Sequence, residues 1–253
     1  MILTFKTPFP NNKNNNYGII LVNSFNLSSA INDGINLSIL LNDVLNFDHV
    51  FIIVDNQASL NKISERLITY TNITSVYCEN KNMLFTSIAD IINKLIDGNI
   101  IICISSHGYA NGDVNYIIYN NEHIYDYELN FTILNKMSHN INCIVLVDAC
   151  QSGTEFNLNY KTTDLINYST ENKCQFTHNI ICISAVSDYQ YDEDDISDMG
   201  YDGGLTSAFI DYYKENDITN CTIGGFYLYY SNRISTQNVQ STLSFNNIDF
   251  IKS

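Results

Sequence analysis

Two stretches decide how this chain folds: Ile100-Ile101-Ile102-Cys103-Ile104-Ser105-Ser106-His107-Gly108 and Ile141-Asn142-Cys143-Ile144-Val145-Leu146-Val147-Asp148-Ala149-Cys150. Each is an apolar run of strand length, rich in Ile and Val, that breaks off abruptly at polar residues. A strand with one wet face alternates, whereas a strand covered on both faces reads as a continuous apolar run, as in a parallel sheet. Residues 18–22, 50–54 and 180–184 read the same way. Between the runs lie segments of helical period. Ile35, Ile39, Leu40, Val44 and Leu45 share one face, as do Leu60, Ile63, Leu67 and Ile68, and Leu84, Ile88, Ile91, Ile92 and Leu95. Strand and helix in alternation predict right-handed βαβ units, and so an α/β fold: a mostly parallel sheet with helices on both faces. Helices are expected over 205–215 and 223–233, and a short last strand near 242–245. No Gly- or Pro-rich linker and no internal repeat divides the chain. One domain over residues 17–253 is expected, preceded by a flexible polar arm, residues 1–16, that ends in Asn11-Asn12-Lys13-Asn14-Asn15-Asn16.

Composition narrows the partners. The 253 residues carry 12 Lys+Arg against 27 Asp+Glu, a formal net charge of −15. Twelve scattered cations build no basic stripe, which argues against nucleic acid and against an anionic membrane surface. A cationic ligand is electrostatically favoured. The hydrophobic fraction of 45% suits a packed core. The richness in Asn, 37 residues, together with Ile and Tyr, reads as codon bias of an AT-rich genome. The seven cysteines form no Cys-x-x-Cys pair, so neither a zinc ribbon nor a thioredoxin motif is present. Cys103, Cys143 and Cys182 sit inside apolar runs, where Cys is a small buried hydrophobe. This usage suits a reducing compartment. With no 18-residue apolar run and no signal-like N-terminus, a soluble cytoplasmic protein is expected.

In an open α/β sheet ligands gather at the carboxyl ends of the strands. His107 follows one apolar run there and Cys150 follows the next. If those strands are neighbours, a thiol and an imidazole face one crevice, which is the nucleophile and base of acyl transfer. Gly108 allows close backbone approach, and its N–H and that of Cys150 are candidate donors to an oxyanion. Two irregular stretches complete the picture. Residues 154–178 are polar and hold Lys161 and Lys173; residues 188–202 are acidic. Long loops in a compact domain are more often functional than idle.

These residues carry a resemblance. Ser-His-Gly at 106–108 and Asp-Ala-Cys-x-Ser-Gly at 148–153 are similar to the dyad motifs of caspase-like cysteine peptidases, in the variant found in metacaspases. Ala30-Ile31-Asn32-Asp33, Ser184-Ala185-x-x-Asp188-x-Gln190, Gly203-Gly204-Leu205-Thr206-x-Ala208-Phe209 and Gln237-x-x-Gln240-x-x-Leu243-Ser244 resemble further family segments, so the likeness spans about residues 18–245. It implies a caspase-like three-layer sandwich on a mostly parallel sheet of roughly six strands. It implies a monomeric thiol endopeptidase that cuts protein or peptide substrates after Arg or Lys, with His107 and Cys150 as the dyad. Asp33, Ser105 and Asp148 would line the pocket for the basic residue. The residues give their own reason: an arginine pocket needs carboxylates beside the nucleophile, and Asp148 precedes Cys150 by two. A pocket for Asp would need arginines, and only Arg66 and Arg233 exist, away from the motifs. An enzyme of this specificity would find targets for self-cleavage in Lys161 and Lys173.

No cofactor is required by this chemistry. Family members that depend on calcium use a set of aspartates. Here Tyr125-Asp126-Tyr127-Glu128-Leu129 offers Asp126 where a pair is expected, and Asn157 stands at another such position. Ca²⁺ wants six to eight oxygens, several of them charged, so calcium dependence is doubtful. The competing reading is a catalytically silent caspase-like scaffold that binds protein partners, since fold does not guarantee activity. A flavodoxin-like module for an anionic cofactor is disfavoured. Asn23-Ser24-Phe25-Asn26 stands where a Gly-rich phosphate loop would be needed.

Overall fold

The computed structural model describes residues 15–24, 29–111, 114–150, 156, 158, 160–162, 169–170, 179–185, 194–197, 200–233 and 240–243. In chain order the elements begin with β1 (Asn16–Val22), α1 (Ser29–Ile39), β2 (His49–Val54), α2 (Gln57–Arg66), β3 (Ile73–Tyr77), α3 (Lys81–Ile92) and β4 (Asp97–Ser105). Next come β5 (Gly108–Asn111), β6 (Val114–Tyr119), β7 (Glu122–Tyr125), α4 (Asp126–Thr132) and β8 (Asn140–Asp148). The remainder are β9 (Tyr160–Thr162), β10 (Ser169–Thr170), β11 (Asn179–Ser184), β12 (Asp194–Ser197), β13 (Gly200–Gly203), α5 (Gly204–Glu215), α6 (Ile223–Arg233) and β14 (Gln240–Leu243).

The main sheet runs β10-β9-β14-β11-β8-β4-β1-β2-β3. The six strands from β11 to β3 are all parallel, and β14, β9 and β10 extend the sheet antiparallel beyond β11. Side chains alternate between two cores. Ile20, Val22, Ile101, Cys103, Ile144, Leu146, Ile181 and Ile183 pack with α1, α2, α5 and α6. Ile19, Leu21, Ile100, Ile102, Ile104, Cys143, Val145, Val147, Ile180 and Cys182 pack on the other face with α3 and α4. Both faces are covered, which is why these strands carry no polar alternation. The result is a three-layer α/β sandwich, consistent with a caspase-like arrangement. Among the described residues no helix is long and apolar enough to cross a membrane.

Of the six expected strands, four lie within a residue or two of their apolar runs, β4 starts three residues early, at Asp97, and the short last strand is β14, two residues earlier than expected. β1 starts at Asn16, so the last residue of the expected arm belongs to the sheet; residues 1–14 lie outside the described ones. β3 was not expected: Ile73-Thr74-Ser75-Val76-Tyr77 is half-polar because it is the edge strand, paired only with β2. The stretch 154–178, expected to be loop, contains β9 and β10, and its Phe156 and Leu158 are fully buried. The acidic stretch 188–202 contains a two-stranded hairpin, β12 with β13.

One polar feature fixes the strand register. Asn16, Asn99, Asn142 and Asn179 stand opposite one another on β1, β4, β8 and β11. Asn99 donates to Asn16 Oδ1 at 2.9 Å, Asn142 to Asn99 Oδ1 at 3.0 Å, and Asn179 to Asn142 Oδ1 at 3.0 Å. A slip of one residue would break every rung and invert both cores. Asn99→Ala leaves the Oδ1 of Asn16 and the Nδ2 of Asn142 without partners. It should cost about 1–3 kcal/mol, read as a lower urea midpoint; an unchanged midpoint would show the ladder to be dispensable.

Candidate active site

From β1 the chain steps outward to β2 and β3, then returns to place β4 on the other side of β1. The carboxyl ends of β1 and β4 therefore flank the topological switch point, the place where open α/β sheets form their ligand crevice. Asn23, just past β1, closes its floor: its N–H donates to Ser105 O at 3.0 Å and its Nδ2 to Ser106 Oγ at 3.2 Å. Ser106 Oγ in turn donates to Ile118 O at 2.9 Å, tying the end of β4 to β6.

Asp33 enters this crevice from α1. Gly34 beside it lets the helix lie against β1, because a Cβ there would come within 2.7 Å of Val22 Cγ2. Asp33 is 0% exposed, and its Oδ2 accepts the Ser105 hydroxyl at 2.6 Å. Asp148 reaches the same side of the sheet from the end of β8, where its alternation follows Ile144 and Leu146. It is 4% exposed. Its Oδ2 accepts the backbone N–H of Thr206 at 2.7 Å, in the first turn of α5. Helix N-termini favour anions. Asp148 Oδ1 is buried and has no hydrogen-bond partner among the described residues. Cys103 lies beneath both carboxylates: burial first, then the charges of Asp148 and Asp33, hold its thiol well above the usual range. Asp33, Ser105 and Asp148, expected as one set, are thus brought together, and Thr206 joins them.

β4 and β8 are adjacent, with Ser105 paired to Asp148. His107 and Cys150 thus follow the ends of adjacent strands, each two residues beyond that last rung. Gly108 packs directly on the nucleophile candidate's backbone, since a Cβ on it would come within 2.1 Å of Cys150 O. Ile118 N–H donates to His107 O at 3.0 Å, and Gly108 stands opposite Ile117. By antiparallel alternation Gly108 is then in a non-hydrogen-bonded pair, and its N–H points away from β6. Of the described cysteines, Cys150 alone is partly exposed; Cys78, Cys103, Cys143, Cys182 and Cys221 are buried.

No protein-family model and no curated protein sequence matches this chain.

The remaining expected residues fall elsewhere. Lys161 lies in β9, opposite Thr242 of β14 and Ser169 of β10, so it is in a paired strand and not in a loop. Lys173, Asn157, Asp188 and Gln190 lie outside the described residues. Asp126 opens α4, is buried, and its Oδ1 accepts the N–H of Tyr127 at 2.6 Å. Glu128 of the same turn accepts from Tyr125 N–H and pairs with Lys81 at 2.9 Å. These carboxylates serve the helix end and an ion pair, and among the described residues no group of three His, Cys, Asp or Glu side chains is placed to hold a metal. The described residues do not fit a calcium site. Sequence reasoning missed the roles of Thr206, Asn23 and Ser106. Thr206 was open to inference as the third residue of a helix entered through Gly203-Gly204, where a free N–H awaits an acceptor. Asn23 and Ser106 act only through the adjacency of β1 and β4, which no local pattern encodes.

Proposed function

We propose that the protein is a cysteine endopeptidase that cleaves after Arg or Lys. One observation carries the reading: two buried carboxylates, Asp33 and Asp148, meet at Ser105, with Asp148 two residues before Cys150, and one oxygen of Asp148 is buried without a partner among the described residues. Burying two anions is costly unless a cation meets them. A guanidinium or ammonium group from a substrate is that cation.

Cys150 Sγ gives its proton to His107, and the thiolate attacks the scissile carbonyl. The N–H groups of Gly108 and Cys150 stabilise the oxyanion. His107 returns the proton to the leaving amine, and water then releases the acyl group. The test is alkylation by an arginyl chloromethylketone. Burial raises the thiols of Cys78, Cys103, Cys143 and Cys221, so these stay protonated and slow to react. Labelling should fall on Cys150 and vanish in Cys150→Ala. A protein that takes no label, and cleaves none of a fluorogenic panel varied only in the residue before the cut, is not this enzyme.

The proposed enzyme acts as a monomer: β14 is paired on both sides within its own chain, by β11 and β9, which supports that state. Self-processing is proposed after Lys173. Lys161 is a poorer target because β9 would first have to leave the sheet. Mass spectrometry of wild type beside Cys150→Ala should find a new terminus after Lys173 in wild type only. A fully active, intact single chain refutes it.

A further inference from the structure

The small sheet β5-β6-β7 begins at Gly108, immediately after His107. Its inner face is apolar: Ile117, Tyr119 and Ile124 are buried against the main sheet, and the Tyr119 hydroxyl lies 2.9 Å from the carbonyls of Val54 and Cys78. Its outer face is aromatic. Tyr109, Tyr116 and Tyr125 share one rung across the three strands. Tyr109 and Tyr116 rings stack at 5.6 Å, Tyr116 and Tyr125 meet edge-on at 5.7 Å, and Tyr125 stacks on Tyr127 of α4 at 5.5 Å. His123 lies on Tyr116 at 4.4 Å. Phe131 follows one helical turn after Tyr127, on the same face of α4.

Cross-strand aromatic pairs stabilise a small sheet. That accounts for the three rings on the rung, but not for Tyr127 and Phe131, which stand on a helix and are 59% and 69% exposed. The rings spend part of their faces on one another, and the row is open to solvent at its two ends, at Tyr109 (41% exposed) and at Tyr127 and Phe131, three steps of 5.5–5.7 Å apart from Tyr109 to Tyr127. That is enough to lie along roughly five residues of extended chain at about 3.3 Å each. It also begins close to the candidate site along the chain, because Tyr109 lies two residues after His107.

We infer that this aromatic row is a docking surface for arginine-rich extended segments of the polypeptide substrate, beyond the residue held by Asp33 and Asp148. The inference rests on the peptidase reading for its substrate. Charge selects the occupant. Ring faces are negative and attract cations, most strongly a planar guanidinium that can stack. The chain carries a net charge of −15. The neighbouring cation, Lys81, is taken up by Glu128 and so does not oppose a basic segment.

The experiment uses full-length Cys150→Ala protein, which binds without turnover, and two peptides. One has a single Arg; the other adds two arginines spaced along the same sequence. The added arginines should tighten binding by roughly tenfold or more, as one or two cation–ring contacts would. That gain should disappear in Tyr116→Ala/Tyr127→Ala, survive in Tyr116→Phe, and disappear when the added arginines are replaced by neutral citrulline. It should persist in Asp148→Asn, which weakens binding of both peptides alike; an Asp148→Asn protein that binds the single-Arg peptide as tightly as before, with the gain retained, sinks the peptidase reading and leaves the row standing. If the double variant does not fold, Tyr127→Ala alone, on an exposed helix position, should still lose a measurable part of the gain. Equal binding of the citrulline peptide overturns the inference. So does a wild-type dimer in sedimentation that Tyr127→Ala dissociates, since the row would then receive a second copy of the chain.

Discussion

Replacing Cys150 by Ala, or His107 by Ala, is expected to remove peptidase activity by three or more powers of ten, and by about the same amount in each case. The equality is the informative part. A nucleophile and the base that ionises it work as one unit, so removing either leaves only what binding and the oxyanion donors supply. The residues sit past the last rung of β4 and β8 at Ser105 and Asp148, and the bond from Ile118 N–H to His107 O is a backbone bond that the substitution leaves in place. The variants should therefore melt close to wild type. The measurement is kcat/KM on an arginyl peptide amide, normalised by active-site titration for His107→Ala. If His107→Ala retains a tenth of the activity while Cys150→Ala retains none, another group ionises the thiol, and the pairing proposed from the adjacent strand ends is wrong.

What could be read from the sequence depended on whether a feature was local. The buried parallel strands announced themselves because a strand covered on both faces has no polar alternation to confuse with a helix. β3 escaped because it is an edge: Thr74 and Ser75 are tolerated where one side faces solvent, and the pattern falls below recognition. β9 and β10 escaped for a related reason. They are two or three residues long, and their place in the sheet is set by pairing with β14, more than 70 residues further on, which no window of sequence contains. In the candidate site, Ser105, Asp148, His107 and Cys150 were legible because each ends or follows a strand that stops at a sharp change in polarity, and Asp33 because it lies near the start of the helix after the first such strand. Their assembly was not legible in the same way. It follows from the strand order, which reverses at β1, and from α5 offering Thr206 N–H to Asp148 across a gap of 58 residues.

Asp148→Asn should abolish the preference for basic residues while leaving the fold nearly unchanged. The amide oxygen can still accept the Thr206 N–H that Asp148 Oδ2 accepts at 2.7 Å, so the start of α5 keeps its partner. What is lost is charge. Its interaction with the helix end is worth about 0.3–1 kcal/mol, and the relief of burying two carboxylates near each other opposes that loss. Melting should accordingly shift little. For a bound arginine the balance is different. Removing one partner of a buried, hydrogen-bonded charge pair costs on the order of 3–5 kcal/mol, so kcat/KM on arginyl substrates should fall at least a hundredfold. Wild type should prefer Arg to Lys, because a planar fork can span two carboxylates where an ammonium is a single point. Asp33→Ala should lose the same preference but also destabilise the protein, since it leaves the buried Ser105 hydroxyl without the acceptor it meets at 2.6 Å. The contrast between the two variants separates specificity from support. If Asp148→Asn cleaves arginyl peptides normally, the unpartnered oxygen of Asp148 faces something other than substrate, and the basic residue is bound elsewhere.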